Sequence, residues 1–262
     1  MKLLLMILML SATLFAYEGH HKWVGVFAKG KHVAYSDQKL YGTLFWEDFR
    51  KEVHRMWREG YDLTQFKYGD GKWVGLFSKP APFSTESLQS AGRWKDFRPL
   101  VIDAWKQGYY LTDLHYALGK WVGLFAKGAG YHGQSYNTKK SWSKMDPVIV
   151  DRWKEGLKLT DIAYGELKWV ALFSKADSLG RQSYSVRGYF SQIVDKIVQM
   201  WHQGYDLTAL EYGVGKWVAV FSEDGGYDRQ KLSFRESFDD FVGMFEKRRR
   251  EGYALVTLTY GW

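Results

Sequence analysis

The chain has 262 residues, of which 46% are hydrophobic and 18% aromatic, with a formal charge of +8 and no cysteine. The lack of cysteine excludes disulfides, thiolate nucleophiles, thiolate metal ligands and a lipidated N-terminal cysteine. The positive balance suits anionic surfaces such as lipid head groups or acidic polysaccharide, although the charges are spread along the chain and only Lys247-Arg248-Arg249-Arg250 forms a dense run.

Residues 1–16, MKLLLMILMLSATLFA, read as a secretory signal: a basic residue, a short apolar core and a small residue suited to cleavage. The mature chain is then expected to begin near Tyr17, to form one repeat domain over residues 17–262, and to be periplasmic or secreted. No other stretch approaches the length of a membrane span.

From Lys22 onward one phrase recurs. K-W-V-x-(V/L)-F begins at Lys22, Lys72, Lys120, Lys168 and Lys216, with a period of about 48 residues. A second phrase, W-x-x-G-(Y/L)-x-L-T, precedes the last four copies at Trp57, Trp105, Trp153 and Trp201. Such a period marks repeated units that bury their apolar faces against one another. In the second unit, Tyr61–Tyr68 alternates and is rich in β-formers, Gly69-Asp70-Gly71 is a tight connection, and Lys72–Lys79 returns, which predicts a hairpin. The returning strand is apolar on both faces and is expected to be central. A short polar strand is expected at Gln38, Glu86, Gln134, Gln182 and Gln230, as suits a sheet edge. A helix of three to four turns follows. In the first unit its apolar face is Phe45, Phe49, Val53, Met56 and Trp57, and in the third Asp146-Pro147 reads as its start. Each helix is predicted to end at a glycine, namely Gly60, Gly108, Gly156, Gly204 or Gly252.

The ends of the chain are complementary. The first KWVGVF copy has no strand before it, and Tyr253–Tyr260 is a first strand with nothing after it. This predicts an α/β fold: a closed five-unit β-β-β-α toroid, with the last strand paired beside the first so that no edge is left bare. In outline it resembles the pentein toroids, whose catalytic cysteine this chain lacks.

No HExxH, GxSxG or Walker sequence is present, and the seven histidines share no repeat position. The single GxGxxG match, at Gly128, opens no helix and reads as chance. Neither a metal nor a cofactor is expected. The loops after the central strands carry Gly130-Tyr131-x-x-Gln134 and Gly226-Tyr227-x-x-Gln230, varied as Pro82-Phe83-x-x-Glu86, Ser178-Leu179-x-x-Gln182 and Tyr35-x-x-Gln38. An aromatic face beside an amide suits sugars or extended peptides, so Tyr35, Gln38, Phe83, Glu86, Tyr131, Gln134, Gln182, Tyr227 and Gln230 are the candidate binding residues.

Taken together, the G-(Y/F)-x-x-Q loop, the W-x-x-G-x-x-L-T strand and the K-W-V strand resemble the repeat region that follows the kinase domain in plant casein-kinase-I-like proteins, and a domain family of unknown function found also in bacteria. The resemblance spans about residues 20–262, without any kinase domain, and implies a stand-alone binding or scaffold module. The expected protein is therefore an exported, non-enzymatic monomer that binds a protein, peptide or acidic glycan, with an anionic membrane surface as a further candidate and no specific nucleic acid. The alternative is a cell-envelope hydrolase using Asp62, Asp113, Asp161 or Asp206 on a rim.

Overall fold

The computed structural model describes residues 19–33, 35–80 and 83–262. The secretory signal expected at 1–16, and Pro82 of the second loop, lie outside the described residues. Among the described residues, five antiparallel sheets of three strands account for every strand, and each sheet carries one helix. Four of these units are contiguous in sequence. The first comprises β2 (Asp37–Thr43), α1 (Trp46–Arg58), β3 (Asp62–Gly69) and β4 (Lys72–Lys79), with strand order β2-β4-β3. The next has β5 (Thr85–Ala91), α2 (Trp94–Lys106), β6 (Tyr110–Ala117) and β7 (Lys120–Lys127). The third has β8 (Tyr131–Lys139), α3 (Trp142–Lys154), β9 (Lys158–Gly165) and β10 (Lys168–Ala176). The fourth has β11 (Gln182–Arg187), α4 (Phe190–His202), β12 (Asp206–Gly213) and β13 (Lys216–Ser222). The fifth is assembled from both ends of the chain. β14 (Arg229–Arg235), α5 (Phe238–Arg250) and β15 (Ala254–Gly261) receive β1 (Lys22–Lys29) as their central strand, in the order β14-β1-β15. Val24 faces Phe234 on one side and Thr259 on the other.

The central position of the K-W-V strands follows from their composition. Trp23, Trp73, Trp121, Trp169 and Trp217 are all fully buried on one face, and the Val-x-Leu/Val residues of the other face are equally buried. One part of the repeat falls differently from the sequence expectation. Each short polar strand leaves the sheet of the central strand that precedes it and becomes the edge of the next sheet, so that β5 pairs with β7 and not with β4.

The helices also start elsewhere than the local sequence suggests. α3 begins at Trp142, so Asp146-Pro147 lies in its second turn. Phe45 is the residue before α1 and is 66% exposed, while Trp46 and Phe49 pack toward the sheet. The glycine ends are as expected. Gly108 has φ +78°, its N–H bonds the Trp105 carbonyl, and the Tyr109 N–H reaches back to Ala104. This paired bonding satisfies the last helical carbonyls and turns the chain into β6.

Each helix is packed between two sheets. The α1 core joins Phe49, Val53 and Met56 to Trp73 and Phe77 of β4, and to Val122 and Leu124 on the far face of β7. The same pairing links β7 to β10, β10 to β13, β13 to β1, and β1 to β4. Side-chain volume is matched at each of these cores. Where the central strand has glycine at its middle, the facing helix residue is phenylalanine: Gly25 with Phe241, Gly75 with Phe49, Gly123 with Phe97. Where it has Ala171 or Ala219, the equivalent helix residue is Met145 or Ile193. A Cβ on Gly123 would lie 2.6 Å from Phe97 Cζ and 2.7 Å from Leu111 Cδ1. Gly123→Ala is therefore expected to cost about 1–3 kcal/mol through overpacking. Adding Phe97→Met, the partner that alanine already has in the third unit, should recover more than half of that loss in a chemical denaturation series.

Candidate functional site

The five first strands, β3, β6, β9, β12 and β15, touch one another in succession. Each carries a bulge. The register slips between Leu63 and Gln65, so Thr64 has no ladder partner, and the other copies slip at the same place. Thr64, Thr112, Thr160 and Thr208 each donate a hydroxyl to a carbonyl of the adjacent central strand, at 3.1–3.4 Å. This is the physical reason for the L-T pair in the repeat: the threonine satisfies an acceptor at the bulge.

Beyond the bulge the strands differ. The next inward positions are Gln65, Asp113, Asp161, Ala209 and Thr257, and two residues further on stand Lys67, His115, Ala163, Glu211 and Thr259. The ionisable ones among them, Lys67, Asp113, His115, Asp161 and Glu211, come together in the interior. Asp113 accepts the Phe66 N–H at 2.7 Å and Asp161 accepts the Leu114 N–H at 2.8 Å, so each carboxylate ties its strand to the preceding one. Lys67 is 4% exposed, and its ammonium lies 3.1 Å from Glu211 and 3.6 Å from Asp113. Thr259 of β15 stands at the same level, fully buried, with no partner for its hydroxyl.

The electrostatics of this cluster are those of a buried, mostly paired site. Burial alone would lower the Lys67 ammonium, but Glu211, Asp113 and Asp161 outweigh it and hold it charged. Burial raises Asp113 and Glu211, with Lys67 opposing. Burial and the neighbouring Asp113 charge push Asp161 well above the usual carboxylate range. His115 is neutral, lowered to about 3 by burial and by Lys67. Groups held this way by one another act as a polar core that fixes the strands in register.

The loop residues singled out in the sequence divide into two sets. The amides turn inward and clamp neighbouring units. Gln134 accepts from Trp105 Nε1 at 2.8 Å and the Leu111 N–H at 2.9 Å, and its NH2 donates to the Leu111 carbonyl at 2.8 Å. Gln182 and Gln230 do the same with Trp153 and Leu159, and with Trp201 and Leu207. Gln38 bonds both backbone groups of Leu255. In the fifth helix Arg249 replaces the tryptophan, and its guanidinium pairs with Asp37 and Glu246. Arg248 bonds Ser233 and Glu251, so only part of the basic run at Lys247–Arg250 is without an internal partner.

The aromatic residues gather separately. Tyr131 and Tyr227 line a cavity of about 230 Å³ with Leu179, Thr160 and Thr208. Burial pushes the Tyr131 hydroxyl up to about 12, and Tyr227 rises through burial and the nearby Tyr35. Tyr35 and Gln38 border a second cavity of about 310 Å³ beside Asp37 and Arg249. Tyr227 and Gln230 also line a larger groove of about 720 Å³, together with Trp201, Tyr205, Asp206 and Asp224. Phe83 is half-buried.

Of the four rim carboxylates considered from sequence, Asp113 and Asp161 belong to the interior cluster, Asp206 to the groove, and Asp62 sits beside Glu86. The interior cluster went unrecognised in the sequence. Its signal was variation at two positions of a strand whose neighbours, L-T and Tyr-Gly, scarcely change.

Residues 95–209 match a family model described as a domain of unknown function (DUF7477). The matched stretch runs from α2 to β12 and is similar to that family over two of the repeats. No curated protein matches the chain.

Glu86 supplies a direct test of the amide clamp. It stands where the other units have glutamine; one oxygen accepts the Leu63 N–H at 3.0 Å, and Trp57 and Asp62 lie against the carboxyl. Burial and then the Asp62 charge push its carboxyl up to about 9, so at neutral pH it is protonated and able to donate as glutamine does. The folded state thus binds a proton that the unfolded state releases at its ordinary value of 4.5. Stability is fully present below that value and falls as pH rises toward about 9. Glu86→Gln removes the titration. Its melting temperature should exceed that of the parent by a margin that widens between pH 5 and pH 9, and a margin independent of pH would contradict the assignment.

Proposed function

We propose that the chain closes into a five-unit β-β-β-α toroid and serves as an exported, non-enzymatic binding or scaffold protein, with a glycan as ligand. Closure is supported by β1 lying between β14 and β15 and by helix cores that lead from β13 to β1 and from β1 to β4. Contact between β15 and β3 supports it as well. Export is supported by the leader-like composition of residues 1–16.

The observation that carries the binding reading is the groove of about 720 Å³. Trp201, Tyr205 and Tyr227 line it with Asp206, Asp224, Asp228 and Arg229. Aromatic faces among charged acceptors and donors suit stacking on a sugar ring while its hydroxyls are bonded. In contrast, the polar atoms of Gln134, Gln182 and Gln230 are held within the fold, so recognition rests on the groove's aromatics and aspartates. Titration with envelope oligosaccharides, read by tryptophan fluorescence, should give saturable binding that Tyr205→Ala or Asp224→Asn weakens about tenfold. A lack of saturable binding across neutral, acidic and basic glycans would contradict the reading.

The hydrolase alternative is favoured by one observation, that Asp206 and Asp224 share the groove. Burial raises the Asp206 carboxyl, and Asp224 adds to this against N–H bonds from Tyr227 and Gly225. Turnover of a bound glycan that Asp206→Asn abolishes would replace binding with catalysis.

A further inference from the structure

The hairpin turns and the helix N-termini share one end of the molecule, because the last residue of β2, Thr43, pairs with Trp73 at the start of β4. Three of those turns stand side by side, since Tyr116 packs on Gly165 and Tyr164 on Gly213 in adjacent units. At their tips are Leu118, Leu167 and Val214, which are 63%, 78% and 57% exposed. All three have left-handed backbones, with φ of +48°, +58° and +46°. Such positions favour glycine, asparagine or aspartate, and a β-branched valine fits them worst. Leu118 and Val214 occupy one repeat position, which is Asp70 (φ +48°) in the first unit and Glu166 (φ +46°) in the third; Leu167 stands one residue later, where the other three turns have glycine. Three exposed apolar side chains are therefore present against both solvation and backbone preference. Tyr189, 62% exposed, stands at the same end just before α4.

The surrounding charge is one-sided. A lysine follows each tip: Lys120, Lys168 and Lys216. Lys140, Lys144 and Arg187 are exposed nearby, at the starts of α3 and α4. Asp195 of α4 is exposed, and the other carboxylates nearest the turns are engaged. Glu166 accepts from the Trp94 N–H, Trp121 Nε1 and Lys168; Asp96 pairs with Arg93; and Asp146 accepts the Tyr184 hydroxyl.

We propose that this sector, formed by the turns after β6, β9 and β12, docks on an anionic phospholipid surface. Each basic residue near such a surface contributes about 1 kcal/mol, and separate apolar tips can enter the head-group region between phosphates. A soluble acidic polymer would satisfy the cations but offer no apolar medium to the tips. The surface is distinct from the glycan groove, which lies at the far ends of the strands near Asp206 and Ser222. Failure of either proposal leaves the other standing.

The test uses the full chain and flotation with vesicles of phosphatidylglycerol mixed into phosphatidylcholine, against vesicles of phosphatidylcholine alone. The parent protein should float only with the anionic vesicles. The triple variant Leu118→Asn, Leu167→Asn, Val214→Asn should bind about tenfold more weakly or worse, while its melting temperature is unchanged or higher. Replacing Lys140, Lys144 and Lys216 with Gln should weaken binding and flatten its salt dependence. The proposal is overturned if the parent does not float with anionic vesicles, or if the triple Asn variant floats equally well. It is overturned too if dextran sulfate in solution binds as tightly as the vesicles, with no effect of the tips.

Discussion

The structure depends on the insertion of β1 between β14 and β15. A three-stranded sheet without its central strand would present two unpaired edges and no tryptophan face. With β1 in place, Trp23 and Phe27 complete one core with α5, and Val24 and Val26 complete another with α4. Two of the five cores thus rest on eight residues near the start of the described chain. The last residue also contributes: the Trp262 carbonyl accepts Trp217 Nε1 at 2.8 Å. Packing has to carry this arrangement, since the chain has no cysteine with which to staple its ends.

The units are joined by three layers of interaction, each using residues the repeat retains. Nearest the helices, phenylalanine fills the space glycine leaves, or methionine and isoleucine meet alanine. At the strand ends a tyrosine lies over the glycine of the next unit, as Tyr260 does over Gly69 and Tyr212 over Gly261. A Cβ on Gly69 would come within 2.3 Å of the Tyr260 ring, which explains why Tyr-Gly closes most first strands. Along the edge strands the amides clamp tryptophan and backbone. Close packing of this kind tolerates little change in volume, so each layer constrains the others.

Much of this order was legible in the sequence because it is local. Hairpins announce themselves through short glycine turns, and helix ends through glycine at a left-handed position. The pairing of β15 with β1 was legible because two half-hairpins complement each other. Features that depend on distant residues were not legible. Asp146-Pro147 looks like a helix start, yet Trp142 is buried against Trp169 and draws the helix back by a turn. Phe45 has helical spacing, but Trp46 takes the place beside Trp73 and Phe45 stays in solvent. The amides of the Gln loops look free for a ligand until Trp105, Trp153 and Trp201 are brought against them. Lys67 and Glu211 are far apart in sequence, and only the succession of first strands places them 3.1 Å apart.

Amide hydrogen exchange on the full chain tests most directly whether the two ends form one sheet. Local opening energies separate a frayed terminus from a central strand. The amides of Val24–Ala28 should be as protected as those of Val122–Ala126 in β7, because both strands are paired on both sides. Exchange of Val24–Ala28 at the rate of a loose terminus, with the strand of Val122–Ala126 still protected, would contradict the account.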